Sequence, residues 1–250
     1  VARERCDRDL PVTVGVETPG QAGAGATLER VPARRPMTVH DLLRHTSGLT
    51  YGFFGDTPVK RAYRAAGVDP DANDSLSAFA SRLAALPLHF QPGSTWDYGV
   101  STDLLGRVIE VAGGMPLSQF LKTRLLDPLG MKDTSFYVTE PARQARLAEP
   151  LPDDRVLGID AVIGNPRVTR RAESAGGCMV STATDYARFA LMLRNGGELD
   201  GRRFLGPRTV EFMTSDHLGS AIARTPLYLP GPGYGFGLGF AVRTATGEAS

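Results

Sequence analysis

Helical patterns in this chain are short and repeatedly stopped by glycine. Thr182 to Asn195 is the clearest. Thr182 and Asp185 form a cap pair, Phe189, Met192 and Leu193 fall at i, i+3 and i+4, and Gly196-Gly197 ends the run. Gly67 closes a pattern opened by Asp56-Thr57-Pro58, and Gly113-Gly114 closes one from Ser101 to about Ala112. Such a chain builds a layered globular body rather than a coiled coil or a membrane span. No apolar run reaches the roughly 18 residues a span requires. No apolar leader is visible at the start, so no signal peptide is expected.

The remaining punctuation sets the other elements. Val12 to Val16 reads as a strand, and Pro19 to Ala26 as a loop. Thr38 and Asp41 make a capping-box variant whose helix is expected to stop at Gly48. Ser75 to Ala85 spaces Leu76, Phe79, Leu83 and Leu86 near 3.6, with Asn73 or Asp74 expected as its cap. Phe90 to Tyr98 is a turn followed by a short extended piece. A helix from Pro116 to about Leu126 precedes a turn at Asp127 to Gly130. Residues 135 to 170 are loop-rich, Pro207 to Met213 is a short helix, and Gly233 to Val242 reads as one strand.

Composition then removes classes. An apolar fraction of 42% with 22% charged residues over 250 positions supplies a core. The net charge of +1 lacks the basic excess of a nucleic-acid binder. Cys6 and Cys178 lie far apart, outside any metal-ligand spacing, so two thiols are expected and neither a metal nor a cofactor. The scans for G-x-S-x-G, a phosphate-binding G-x-x-x-x-G-K-[ST] and H-E-x-x-H all fail. Compartment and oligomeric state are not readable.

Five blocks in order carry a resemblance. Met37 to Leu49 (MTVHDLLRHTSGL), Gln91 to Gly114 (QPGSTWDYGVSTDLLGRVIEVAGG), Leu125 to Phe136 (LLDPLGMKDTSF), Ser174 to Leu205 (beginning SAGGCMVSTATDYARF) and Tyr234 to Phe240 (YGFGLGF) resemble segments of the serine β-lactamase and penicillin-recognising esterase family. HTSGLTYGF and the Y-x-V-S-T-D form resemble its class C β-lactamase-like esterases. The resemblance implies an α/β (α+β) fold of β-lactamase/transpeptidase type. That fold is an antiparallel sheet flanked by helices, plus a mostly helical region.

It also implies a chemistry. The family uses S-x-x-K on a helix, where an i, i+3 spacing sets both side chains on one face. A Tyr serves beside them, and because a free phenol titrates near 10, a neighbouring cation is needed for it to act as a base. The serine attacks a carbonyl and an acyl-enzyme forms. The family's Tyr falls on Tyr98, the expected general base. Tyr51 and Asp103 are expected to shape the substrate pocket. His45 and Ser47, at i, i+2, do not face each other and are not expected to form a dyad. Val100 replaces the asparagine of the family's Y-x-N and removes an amide that would bond a substrate amide. Ester hydrolysis is therefore favoured over efficient β-lactam turnover.

S-x-x-K is absent: Lys60, Lys122 and Lys132 have Thr57, Gln119 and Leu129 three residues before them. Thr57 follows HTSGL, whereas the family's nucleophile precedes it, so Thr57 is rejected as nucleophile. The third family element, a strand carrying K-T-G or its equivalents, is absent too. Together with the non-Met start this leads us to expect a single partial domain over 1–250, incomplete at both ends and inactive by itself. Its parent is expected to be a serine hydrolase acting on a small-molecule ester or β-lactam. The alternatives are a D-Ala-D-Ala-type peptidase and a non-catalytic binding or regulatory module.

Overall fold

The computed structural model describes residues 13–17, 28–68, 75–149, 165–169, 171 and 173–247. Strands β1 (Thr13–Glu17) and β2 (Leu28–Pro32) pair antiparallel, with Gly15 opposite Arg30. Helix α1 (Val39–Leu43) follows, then α2 (Pro58–Ala65) and α3 (Leu76–Ala84). Strand β3 (Thr95–Trp96) leads into α4 (Ser101–Gly113) and α5 (Leu117–Leu121). Beyond a short α6 (Asp127–Leu129) and α7 (Pro141–Gln144) lies α8 (Ala183–Arg194). The chain then makes β4 (Glu198–Leu199), β5 (Arg202–Arg203), α9 (Pro207–Met213), β6 (Ala223–Arg224), β7 (Tyr234–Phe236) and β8 (Ala241–Arg243).

The expected caps mostly form. Thr38 accepts the Asp41 N–H while the Asp41 side chain accepts from Thr38, a complete capping box. Thr57, Ser75 and Thr182 each accept an N–H from the third residue of their helix. Ser75, not Asn73 or Asp74, caps α3. Those two residues, the Pro19 to Ala26 stretch and Cys6 lie outside the described residues.

Other expectations change as well, among them the turn at Asp127 to Gly130, which is helical over Asp127–Leu129. Helix α1 ends at Arg44, well before Gly48, because His45 takes the left-handed conformation at φ 55°. The His45 N–H reaches the Leu42 carbonyl and the Thr46 N–H the Asp41 carbonyl at 2.8 Å, the paired bonds of a Schellman ending. The 116–126 helix widens into one π-type turn over Lys122–Leu126, closed by the Asp127 N–H on the Lys122 carbonyl. Pro128 then supplies no N–H to the ladder. Finally, the Gly233 to Val242 run is a hairpin, β7 against β8, with Gly235 opposite Val242.

The expected mixture of helix and sheet is present. The described strands form four two-stranded pairs, of which β3 with β6 is parallel. Those two segments lie far apart in sequence, so no tight hairpin dictates their sense. The largest apolar cluster gathers Leu42, Leu49, Tyr63, Phe79, Leu83, Leu88, Val100 and Leu104 from α1 to α4. A second joins Trp96 to Leu218, Ile222 and Phe236. Tyr98 packs against both.

Candidate active site

The segment carrying Tyr98 is fastened on both sides to the HTSGL stretch. The Asp97 N–H donates to the His45 carbonyl at 3.0 Å, and the Gly93 N–H to the Thr46 carbonyl at 2.7 Å. A Cβ at Gly99 would stand 2.7 Å from the Leu49 carbonyl oxygen, so this close approach requires glycine. Ser101 opens α4 and shares a buried hydrogen bond of 2.8 Å with Ser47. Two sequence blocks thereby form one rigid floor beneath the phenol.

Tyr98 is half-buried in a ring of aromatic side chains. Its ring centroid lies 4.9 Å from that of His45, 5.4 Å from Tyr51 and 6.2 Å from Trp96. Tyr51 is buried and stacks at 4.8 Å on Phe53, which is 47% exposed. Asp103, in the first turn of α4, is buried and accepts the Ser174 hydroxyl and the Gly176 N–H. A Cβ on Gly176 would lie 2.8 Å from Asp103 Oδ2 and 3.2 Å from Tyr51 Oη, so both atoms converge on that glycine. The structure thus brings Tyr98, Tyr51 and Asp103 into one cluster.

Burial raises all three groups. The Asp103 carboxyl is pushed up by loss of water, against the opposing pull of its Ser174 and Gly176 donors. The Tyr51 and Tyr98 phenols are pushed up first by burial and then by the Asp103 charge. Lys60, the buried lysine, gives its ammonium to the Phe54 carbonyl.

His45 and Ser47 face different partners, as expected. Ser47 bonds Ser101, and His45 Nε2 approaches the Thr102 hydroxyl at 3.5 Å. Burial drives the His45 imidazole down to about 4. Val100 is fully buried in the first apolar cluster, so at this position the chain uses a core residue. Sequence reasoning missed Ser174, Gly176 and the aromatic pair Phe53 and Phe54. The SAGG run beside Asp103 has no spacing signal of its own.

A family model described as Beta-lactamase matches residues 9–248. The chain belongs to the beta-lactamase family. Protein Rv1367c of Mycobacterium tuberculosis is 41% identical over 229 residues, covering 88% of this chain and 55% of that protein. The lovastatin esterase of Penicillium rubens is 34% identical over 197 residues, covering 77% of the chain and 47% of the esterase. Among solved structures, EstCE1, a hydrolase with promiscuous acyltransferase activity, superimposes with a TM-score of 0.66 at 28% identity. The match covers 86% of this chain and 58% of EstCE1. The chain spans about half the length of the curated relatives it matches. The fold is that of β-lactamases and transpeptidases, and the relatives with named activities include esterases and acyltransferases. No helix among the described residues is long and apolar enough to cross a membrane.

Proposed function

We propose that the whole protein transfers the acyl group of a small carboxylic ester to water or to an alcohol through an acyl-serine, with Tyr98 as the base. The observation that carries this reading is the placement of Tyr98, half-exposed, between the aromatic wall of Tyr51 and Phe53 and the buried Asp103. An apolar wall beside a proton acceptor suits an ester with a hydrophobic acyl or alkoxy group. The lovastatin esterase and the acyltransferases among the relatives act in the same chemical class by name.

The raised Tyr98 phenol also states what the chain requires. A phenol above its ordinary value is a poor base at neutral pH, and a cation beside it reverses the shift. The Ser–Lys pair of the family motif would supply both nucleophile and cation. In this reading it is contributed by polypeptide outside these 250 residues, in the half of the relatives' length that the chain does not span.

The test is ester turnover and fluorophosphonate labelling of the full-length protein. Tyr98→Phe is expected to cut kcat/KM for nitrophenyl acetate by about 100-fold or more. Circular dichroism should show the fold retained. Turnover by the variant at the wild-type rate would end this assignment.

A further inference from the structure

Asp97 and Tyr98 are neighbours in the chain but serve different surroundings. Tyr98 joins the aromatic cluster above. Asp97, 5% exposed, instead bonds His89: Nδ1 lies 2.9 Å from Asp97 Oδ2, and His89 Nε2 lies 3.3 Å from Thr57 Oγ1. A carboxylate only accepts, so the network assigns the proton to Nδ1 and leaves the Nε2 lone pair facing the Thr57 hydroxyl. Hydroxyl, imidazole and carboxylate therefore stand in the order and contact that activate a nucleophile.

All three side chains line one cavity of about 710 Å³, with apolar walls that include Val14, Val59 and Leu227. That volume lies in the range of small-molecule sites. Capping explains only part of the arrangement. As the cap of α2, Thr57 needs nothing more than to accept the Lys60 N–H, which it does at 3.3 Å. The cap does not call for a part-buried imidazole or for a buried carboxylate behind it, and burying that carboxylate costs desolvation.

We propose that Thr57, His89 and Asp97 form a second acyl-accepting site, separate from the Tyr98 cluster, that takes small activated carboxylic esters. The Thr57 oxygen attacks the carbonyl carbon, and its proton passes to His89 Nε2. The tetrahedral intermediate collapses, breaking the bond to the alkoxide or phenolate, which leaves with that proton. An acyl-threonine remains. Water then attacks it, with His89 again accepting and returning a proton, to release the carboxylic acid and restore Thr57. Asp97 holds the imidazole in the required tautomer through its contact with Nδ1. Sequence position speaks against Thr57 only with Lys60 as its activating partner; here that partner is His89, and the Lys60 ammonium is spent on the Phe54 carbonyl.

The experiment is brief exposure of the full-length protein to p-nitrophenyl acetate, acid quench, digestion and mapping of acetyl adducts by tandem mass spectrometry. The expected result is an adduct on Thr57 whose rate of formation falls about 100-fold in His89→Gln. Thr57→Ser keeps cap and hydroxyl and is expected to acylate at least as fast, so the proposal stays testable even if the His89 variant is unfolded. Absence of any adduct on Thr57 in folded wild-type protein overturns the proposal. So do adducts confined to other side chains, or Thr57 labelling indifferent to His89 in a folded variant.

Discussion

The imidazole of His45 and the phenol of Tyr98 pack with ring centroids 4.9 Å apart, and the imidazole is held there by a backbone turn that histidine rarely makes. Left-handed φ at a residue with a Cβ costs roughly 1 kcal/mol. The ring recovers that cost by filling the space between Trp96, Tyr98 and Phe236. The first prediction follows from its burial. The folded-state value of about 4 lies below the ordinary 6.5, so the unfolded chain binds the extra proton first. Stability is therefore complete above about pH 6.5 and falls as pH drops toward 4. The loss at the bottom of that window is on the order of 3 kcal/mol. Urea melts between pH 7 and pH 4 should show this slope, and His45→Gln should flatten it. An unchanged slope in that variant would assign the window to other groups.

A second, more acidic window belongs to Asp41. Its carboxylate is buried, and donors from Arg35, Arg44, Thr38 and Thr46 surround it. Burial opposes ionisation, but these donors together hold it well below the usual carboxylate range. Stability from this group is present above the unfolded value near 3.9 and is lost as pH falls below it. Asp41→Asn should destabilise the fold at pH 7 by about 2 kcal/mol, since it removes the charge-assisted bonds of the cap. Measured at pH 2 against the wild type, the difference should shrink.

How much of this was legible follows from where the blocks touch. The helix caps at Thr38 and Thr182 were readable because a capping residue acts on its own third neighbour, a local relation. The stop at His45 was not, because glycine is the usual left-handed residue and only the surrounding aromatic rings make histidine tolerable there. The 233–242 run alternated like a single strand. Its internal turn, where the Gly237 N–H meets the Phe240 carbonyl at 2.7 Å, breaks no period-2 pattern. Within the site, the motif pointed to Tyr98, Tyr51 and Asp103. Their meeting over Gly176 is a contact across more than seventy residues, and sequence spacing carries no such information.

The pairing of two distant blocks has a physical reason and gives a third prediction. Asp185, in the first turn of α8, accepts the Asp133 N–H at 2.7 Å and the Thr134 hydroxyl at 2.8 Å. The D-T of one block is thus clamped by the aspartate of another. Asp185→Ala leaves the Asp133 N–H without its partner at a part-buried junction, while the Thr134 hydroxyl keeps Ser181 at 2.8 Å, and should cost about 1–2 kcal/mol. Asp133→Ala keeps the backbone N–H and removes only solvent-screened surface ion pairs, so it is expected to cost much less than Asp185→Ala. Denaturant midpoints of the two variants distinguish the backbone clamp from the surface ion pairs of Asp133.

Gly176 offers the sharpest test of the cluster around Asp103. A methyl there would stand 2.8 Å from Asp103 Oδ2 and 3.2 Å from Tyr51 Oη, closer than side-chain carbons normally approach. Neither partner can yield easily. Asp103 is tied by the Ser174 hydroxyl and the Gly176 N–H, and Tyr51 is buried against Phe53 and Phe54. Gly176→Ala should therefore displace the carboxylate and the Tyr51 ring, and with it the Tyr98 ring packed at 5.4 Å. Misplacement by about 1 Å near reacting groups can cost on the order of 100-fold in rate. In the full-length protein, kcat for nitrophenyl esters should fall by that order. The neighbouring Gly177→Ala, whose Cβ meets nothing within 4 Å, should leave it within about twofold. Equal rates for the two variants would show that Asp103 and Tyr51 do not position the phenol.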